Sequence, residues 1–363
     1  MSVQASVMGV GPAVANVNAR RSRVLAMALM AVIAAVFWVD SRYPALMKRY
    51  RAGAQIKTAG ALTFGVPYAV DRSMPLAARV SRTTFNWLDA NRIGMTFSFL
   101  FGPAALTFLA TLPRRRTHSR WLNTVWGAVA GVPLAVCTNC VAPIARGLFA
   151  SGMSTESVLA TMFASPALNV VVLAMSFALF PASVALLKLA TVLFLIFVFV
   201  PAVVSGREPQ PATVACPIEI PVSETWRQAF TGVARSYAKS FWYVFRIAFP
   251  FMLLAALLGA VVVELLPAQI LMAKVSVAGI VLVALVGTFL PVPIAFDVAV
   301  AYVAMTRGVQ IPYVVAILCT LGIVSVYSLA IVGRSVSWRV AATVYATVVG
   351  LGTAAGLITR AIF

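Results

Sequence analysis

Apolar segments long enough to cross a lipid bilayer recur along most of the chain, from Val24 to Ile362. A membrane-spanning helix needs about 20 predominantly apolar residues. Lipid offers the backbone no hydrogen-bond partners, so only helices and closed barrels can span it. Only 10% of the 363 residues are charged, whereas a typical soluble domain has about a quarter. The sequence therefore predicts an all-α integral membrane protein with about 8–10 transmembrane helices.

The apolar runs and the polar gaps between them divide the chain into five predicted regions. These are a disordered N-terminus at 1–19, a signal-anchor helix with an interfacial amphipathic region at 20–92, a first transmembrane half at 93–204, a polar linker at 205–239 and a second transmembrane half at 240–363. A cleaved signal peptide is the alternative for the first apolar run, but no small-x-small cleavage site follows it. A small extramembrane subdomain is the alternative for 40–92.

The individual spans are predicted at 24–39, 93–112, 121–136, 155–180, 183–204, 240–266, 275–290, 309–332 and 336–362. Two short helical pieces, 140–150 and 295–306, lie between them. Whether these pieces are re-entrant or cross the membrane decides on which side the linker lies.

Charge in this chain is strongly positive, with 28 Lys+Arg against 9 Asp+Glu and a net charge of +19. Most of the basic residues stand in short gaps between apolar runs, as in the loop 113–120. There they are typical of topology determinants and of contacts with anionic membrane lipids. No aromatic-basic platform accompanies the charge, so we do not expect a nucleic-acid partner.

Two apolar segments are interrupted at matching places in the two halves. In the first half, a span broken near Pro133 leads into a short helix that ends at Gly152. In the second, a span broken at Pro291 and Pro293 leads into a short helix that ends at Gly308. Such a pair indicates a binding site near the bilayer midplane of a transporter. We therefore predict two related halves with broken or re-entrant helices; two unrelated proline kinks are the alternative.

The sharpest local feature is the Cys137-Thr138-Asn139-Cys140 motif. Two thiols three residues apart at a helix start lie on one side of the first turn and can hold one soft metal ion, because the thiolate is both ligand and nucleophile. Two other interpretations stay open. The cysteines can be small packing residues, or the C-x-x-C pair can be the redox centre of a membrane thiol–disulfide relay. The single histidine, His118, excludes a histidine cluster.

The motif continues into a longer pattern. The run CVAPIARGL from Cys140, which contains Pro143 and Arg146, is followed by a glycine and then by FASPALN, which contains Pro166 and Asn169. This pattern resembles the signature of a predicted permease family related to the organoarsenical efflux permeases (DUF318, the ArsP-type group). That signature has a Cys-containing motif, a Pro-x-Ala pair, a glycine and a Pro-x-x-Asn. The resemblance is good over 137–172 and fainter over 285–332.

The resemblance implies a multi-pass permease of the bacterial cytoplasmic (inner) membrane that moves a small molecule or ion. The best-known substrates of the family are trivalent organoarsenicals, which bind thiols, so efflux of a thiophilic metalloid or metal species is the implied activity. This chain departs from the family where Thr138 and Asn139 separate its cysteines, and where Pro-x-Pro replaces cysteine in the second half.

Enzyme and nucleotide-binding signatures are missing from the sequence. Neither a Walker A motif nor H-E-x-x-H or G-x-S-x-G is present. We therefore expect a secondary transporter without a cofactor rather than an enzyme. A scaffold subunit without a pore, and assembly into a homo-oligomer, are further hypotheses.

Polar groups inside the membrane are costly and are functional candidates for that reason. Asp297 lies within the second short helix, either as the ion-pair partner of Arg146, Arg246 or Arg307, or as a proton-coupling site. Glu156 is the second proton-coupling candidate, and the cap of a helix N-terminus is its alternative role. The residues predicted for substrate binding or translocation are Cys137, Asn139, Cys140, Pro143, Arg146, Pro166, Asn169, Pro291, Pro293 and Asp297, with Cys137 and Cys140 also forming the candidate metal pair.

Overall fold

The computed structural model describes residues 20–44, 47, 67–71, 73–112, 119–204, 225–265 and 275–362. Regular secondary structure in these segments is helical, and none of them contains a strand. This confirms the predicted all-α fold. The predicted disordered segment 1–19, most of 45–66 and the first part of the predicted linker, 205–224, lie outside the described residues.

The described residues form thirteen helices. They are α1 (Arg20–Arg42), α2 (Leu76–Leu109), α3 (Arg120–Gly131), α4 (Thr138–Ala150), α5 (Thr155–Ala167), α6 (Val170–Leu179), α7 (Ala182–Val203), α8 (Trp226–Leu265), α9 (Val277–Phe289), α10 (Phe296–Thr306), α11 (Ile311–Thr320), α12 (Val326–Ser335) and α13 (Trp338–Ile362).

Five of these helices, α1, α2, α7, α8 and α13, are long and apolar enough to cross a membrane. Helices α5 and α6 together form a sixth candidate span, which bends by 44° where one helix ends and the next begins. Helices α9, α10 and α11 are shorter but also apolar. The described part of the chain is therefore a multi-pass membrane protein.

Side-chain caps satisfy the first turns of several helices, two of which, α6 and α12, begin inside the apolar bundle. Ser119, Ser154, Asn169, Ser276 and Ser325 stand at the N-caps of α3, α5, α6, α9 and α12, and each side chain accepts a hydrogen bond from a backbone N–H of the first turn. A helix start otherwise leaves these donors without partners. Because an unsatisfied N–H is costly within lipid, the Asn169 and Ser325 caps make the interior breaks before α6 and α12 tolerable.

Helices α1, α2 and α8 pack side by side in alternating directions. Arg23 at the start of α1 donates a hydrogen bond of 3.2 Å to the carbonyl of Thr111, just beyond the end of α2. Arg79 near the start of α2 forms an ion pair of 2.8 Å with Glu264 at the end of α8. One end of the bundle therefore holds the start of α1, the end of α2 and the start of α8. We name it the basic end, because its described charges include Arg20, Arg21, Arg23, Arg120, Arg227, Arg235 and Lys239.

A re-entrant hairpin, α3 and α4, enters the bundle from the basic end. Helix α4 runs parallel to α2, because Gly94 lies against Cys140 and Gly102 lies against Gly147. The chain turns back between α3 and α4, where Ala135 adopts the left-handed conformation with a φ of 46°. Helix α4 thus returns towards the basic end without crossing.

A second hairpin, α9 and α10, enters from the opposite end. Helix α9 runs parallel to α11, since Gly279 lies close to Tyr313 and Gly287 close to Thr320. The chain turns back before α10, where Ala295 has a φ of 59°. A left-handed conformation is uncommon for a residue with a side chain, so its occurrence at both turns marks them as equivalent.

The two halves have the same order of elements in opposite orientations. Each contains a long helix (α2 or α8), a re-entrant hairpin (α3–α4 or α9–α10), a broken span (α5–α6 or α11–α12) and a final long helix (α7 or α13). Gly152 and Gly308 follow the two hairpins with φ values of 82° and 83°. This arrangement is an inverted repeat of the kind found in many secondary transporters, and it agrees with the predicted pair of related halves.

Several element boundaries differ from those predicted. Helix α2 begins at Leu76, so 76–92 belongs to a spanning helix. Two polar residues of this stretch, Arg79 and Thr83, contact Glu264 at the end of α8. Helix α8 begins at Trp226, within the predicted linker. The runs 121–136 and 275–290, predicted as complete spans, form the first arms of the hairpins. The runs 155–180 and 309–332 are each broken in the middle.

Candidate functional site

Four helix breaks, two from each half, come together in the interior of the bundle. They precede α4, α6, α10 and α12, so these four helices begin near the centre of the bundle. We call the residues that join the breaks before α4, α10 and α12 the central site: Thr138, Asn139, Lys188, Asp297, Gly322 and Ser325. Helix N-termini favour negative charge, and broken helices at membrane depth are tolerated where they line protein or a cavity.

Asn139 joins the start of α4 to both breaks of the second half. Its side-chain amide donates a hydrogen bond of 3.0 Å to the carbonyl of Val292 and accepts one of 2.7 Å from the hydroxyl of Ser325. The neighbouring Thr138 hydroxyl donates to the carbonyl of Gly322. Asn139 has no exposed surface, so these contacts satisfy an amide that would otherwise be costly to bury.

A buried ion pair joins the two halves on the other side of the same region. Lys188 of α7 contacts Asp297 of α10, and the two side chains are 3% and 9% exposed. Gly322, with a φ of 82°, lies next to the Asp297 side chain. Asp297 stands in the first turn of α10, where the helix dipole favours its negative charge.

The partner of Asp297 differs from the one predicted from the sequence. Arg146, Arg246 and Arg307 were expected to pair with Asp297, and none of them does in the described structure. Arg307 lies at the far end of α10, and Arg146 and Arg246 face a different region. Lys188 reaches Asp297 because α7 folds back against the second half.

Helix α2 supports the central site from the side. The indole N–H of Trp87 donates a hydrogen bond of 2.7 Å to the carbonyl of Pro291. Asn91, one turn further, places its side-chain oxygen 3.5 Å from the sulfur of Cys137. One helix face thus contacts the break before α10 and the break before α4.

Cys137 and Cys140 form a disulfide at the start of α4. The sulfur of Cys137 also caps the helix by accepting a hydrogen bond of 3.1 Å from the backbone N–H of Cys140. Each cysteine is 2% exposed. Among the described residues no group of three or more His, Cys, Asp or Glu side chains could hold a metal ion. In this oxidised form the pair cannot act as thiolate ligands.

Arg146 lies two turns beyond Asn139 on α4 and outside the central site. Its guanidinium donates hydrogen bonds of 3.1 Å to the Ser335 hydroxyl and 3.0 Å to the Tyr243 hydroxyl. It is 8% exposed. The structure therefore places Arg146 near the basic end, in contact with α8 and α12.

The remaining predicted residues have structural positions around the breaks. Asn169 caps α6 and donates from its amide to the carbonyls of Ser165 and Pro166. Glu156 is buried in the first turn of α5, at the basic end. Two predicted prolines, Pro143 and Pro293, lie in the second turn of α4 and in the break before α10.

Four residues of the central site, Thr138, Lys188, Gly322 and Ser325, are not among the site residues predicted from the sequence. Lys188 is a lone basic residue in an otherwise apolar run, and the rule that selected Asp297 would also have selected it. Gly322 and Ser325 form a glycine stop followed by a serine N-cap. The uninterrupted apolar character of 309–332 concealed that signal.

The fold and the central site define a multi-pass membrane protein with broken helices from two inverted halves, an arrangement that transporters use. Residues 93–361 match the ArsP_1 family model, which describes a predicted permease. The chain belongs to this membrane permease family, which confirms the resemblance drawn from its motifs.

One curated relative is the UPF0718 protein YraQ of Escherichia coli (strain K12), which is 28% identical over 219 residues. The matched region covers 60% of this chain and 62% of that relative, so it spans less than two thirds of the relative's length. No solved structure matches the chain.

Proposed function

We propose that this chain is a secondary permease of the bacterial cytoplasmic membrane that expels a small solute through the central site. The observation that supports this most strongly is the meeting of broken helices from two inverted halves around a buried ion pair. Broken helices supply free backbone groups and helix dipoles at the depth where a solute must be held. A rocking motion between the halves would open this region to each side in turn.

The basic end supports an orientation for the proposed permease. Short segments next to membrane spans carry an excess of lysine and arginine on the cytoplasmic side. The starts of α1, α3 and α8 share one end and carry such an excess. We therefore assign the basic end to the cytoplasm, with the turn between α10 and α11 on the outside.

Proton coupling through Asp297 fits the position of the ion pair. Protonation of Asp297 would remove the negative charge that holds Lys188 of α7 against α10. Because these helices belong to different halves, protonation would loosen one contact between the halves. Glu156 is less well placed for this role, because it lies at the far end of α5.

A thiophilic substrate is the class that the cysteine pair supports. After reduction by a low-molecular-weight thiol, Cys137 and Cys140 would present two sulfur atoms close enough to bind one trivalent arsenic atom. Each thiol would lose its proton to a hydroxyl ligand of the arsenic, so that two As–S bonds form and two waters leave. The central site next to the pair would then contact the organic part of the substrate.

The disulfide itself favours a second candidate function, a membrane thiol–disulfide relay. Such a relay would pass electrons from a thiol donor through Cys137 and Cys140 to an acceptor. The burial of both sulfur atoms opposes this function, because exchange requires the attacking thiolate to reach a sulfur.

Resistance measurements separate these functions. Cells lacking the gene would be complemented with the wild type, Cys140→Ser, or Cys319→Ser as a matched control, since Cys319 is a buried free cysteine. We expect the wild type and the control to restore resistance to, and efflux of, a trivalent organoarsenical, and Cys140→Ser to fail. Full efflux by Cys140→Ser would remove the cysteine pair from substrate binding. Failure of the wild type across a panel of thiophilic and oxyanion toxicants would contradict the proposed efflux.

A further inference from the structure

Three arginines gather near the basic end, well away from the central site. Arg146 of α4, Arg246 of α8 and Arg334 of α12 form this arginine cluster, and the charges of Arg246 and Arg334 both act against that of Arg146. Arg146 and Arg246 lie 4.7 Å and 5.9 Å from the ring centre of Tyr243. No described carboxylate pairs with any of the three.

The buried member of the cluster has hydrogen-bonding capacity left over. The Nε atom of Arg146 is buried and lacks a hydrogen-bond partner among the described residues. Tyr243 and Ser335 accept from Arg146, which leaves their own hydroxyl protons free to donate. Arg246 and Arg334 are exposed. These donors and charges suit a phosphate group, whose oxygens accept charge-assisted hydrogen bonds.

An apolar cleft of about 420 Å³ adjoins the cluster, within the range of about 300–1,000 Å³ usual for ligand sites. The guanidinium of Arg334 lies 5.8 Å from the ring centre of Phe251, and Phe251 also lines the cleft. The cleft therefore adjoins the arginine cluster at Phe251. Further lining residues are Leu254, Leu258, Phe289, Trp338 and Tyr345.

The cleft runs from the basic end towards the membrane centre. Along α8, Arg246 and Leu258 are separated by about 18 Å at the helical rise, close to half of the hydrocarbon thickness of about 30 Å. Phe289 ends α9 beside a central break. The cleft thus has the depth of a single lipid leaflet, with the charged groups at the headgroup level.

We propose that this site binds an anionic phospholipid, with its phosphate on the arginine cluster and an acyl chain in the apolar cleft. Basic pockets between membrane helices on the cytoplasmic side are a recognised form of lipid site. A free oxyanion would use the arginines but leave the cleft empty. A bound lipid would connect α4, α8, α12 and α13, and so bridge the two halves.

The chain offers matched variants for a test. The double variant Arg246→Gln/Arg334→Gln removes the exposed charges, and Arg235→Gln, on an exposed face of the same helix, is its control. Ala342→Phe fills the cleft from an exposed position that lines it, and Ala346→Phe, one turn further and outside the cleft, is its control.

The full chain would be purified in mild detergent, delipidated and followed by native mass spectrometry and thermal unfolding. Phosphatidylglycerol, phosphatidylcholine and inorganic phosphate would be added separately. We expect phosphatidylglycerol to bind one molecule per chain and to raise Tm. The double variant should weaken this binding by about tenfold or more, Ala342→Phe should also weaken it, and both controls should bind like the wild type.

Four outcomes would overturn the proposal. Equal stabilisation by inorganic phosphate, unaffected by Ala342→Phe, would indicate a free oxyanion. Equal effects of the variants and their controls would indicate non-specific attraction. A dimer that excludes lipid would make the cleft a contact between copies. The fourth outcome is that the wild type binds no lipid. If the triple variant Glu208→Gln/Glu219→Gln/Glu224→Gln then has a lower Tm than the wild type, the arginines would be partners of carboxylates in the chain's own linker.

Discussion

Lys188 and Asp297 face each other with side chains that are 3% and 9% exposed, and each neutralises a charge that would be costly to bury alone. Their importance comes from their positions as well as their charges, because α7 belongs to the first half and α10 to the second. A change in one residue therefore affects both stability and the contact between the halves.

Asp297→Asn is expected to lower stability by about 3–5 kcal/mol, because it leaves Lys188 buried without a partner. The double variant Lys188→Gln/Asp297→Asn should regain much of that stability and remain unable to couple transport to a proton gradient. Tm and proton-driven efflux would be measured for both variants, with Asp89→Asn, a surface ion-pair residue, as the control for the same substitution. Efflux by Asp297→Asn at the wild-type rate would exclude a coupling role, and efflux restored in the double variant would make the pair purely structural.

Asp297 could be identified from the sequence because it is a lone acid in an apolar run. Its partner could not, since pairing depends on how α7 folds back onto α10. Arg146, Arg246 and Arg307 are the partners that the sequence suggested, and Lys188 was overlooked. Similarly, the cysteine spacing indicated a joint role for Cys137 and Cys140, but not their burial against α2.

At the scale of helices, the breaks depend on close packing between the helices beside them. Helix α3 packs parallel to α5, and an added methyl group at Gly127 or Gly131 would meet the backbone of Ser157 or Thr161. The Thr161 hydroxyl also donates a hydrogen bond of 2.8 Å to the carbonyl of Gly127. These contacts hold the first hairpin against the broken span.

Gly127→Ala should therefore destabilise the protein, because the added methyl group forces α3 away from α5. In Gly350→Ala, on α13, the added methyl meets nothing within 4 Å, so this variant should be neutral or slightly stabilising, as alanine is the better helix former. Thermal unfolding in detergent compares the two variants. Equal Tm values for Gly127→Ala and Gly350→Ala would show that the space between α3 and α5 accommodates the added methyl group.

The helix breaks were only partly visible in the sequence. Prolines near 133 and at 291 and 293 predicted the two hairpin turns, because proline interrupts a helix and its hydrogen bonds. The breaks before α6 and α12 have weaker signals, an Asn169 cap and a Gly322 stop inside continuous apolar runs. Hydropathy measures how apolar a segment is and carries no information on where its axis bends.

At the scale of the whole molecule, the inverted repeat explains why the four breaks meet. Two halves of opposite orientation bring their hairpin turns to the same depth, one from each end. The sequence indicated two related halves, but the direction of each helix follows only from which residues touch. Contacts such as that of Asn139 with Ser325 therefore show which helix breaks meet, which composition and spacing could not show.

Accessibility of the central site from both sides of the membrane is the most direct test of a permease built in this way. Ser325→Cys would be introduced into a variant in which the four native cysteines are replaced, and an impermeant maleimide would be applied to right-side-out and inside-out vesicles. Ser151→Cys and Thr306→Cys mark the basic and the opposite ends and report the sidedness of each preparation. We expect Ser325→Cys to react from both sides, Ser151→Cys only from the cytoplasmic side and Thr306→Cys only from the outside. A Ser325→Cys variant that is folded but unreactive from both sides, or markers that react from the same side, would contradict the account.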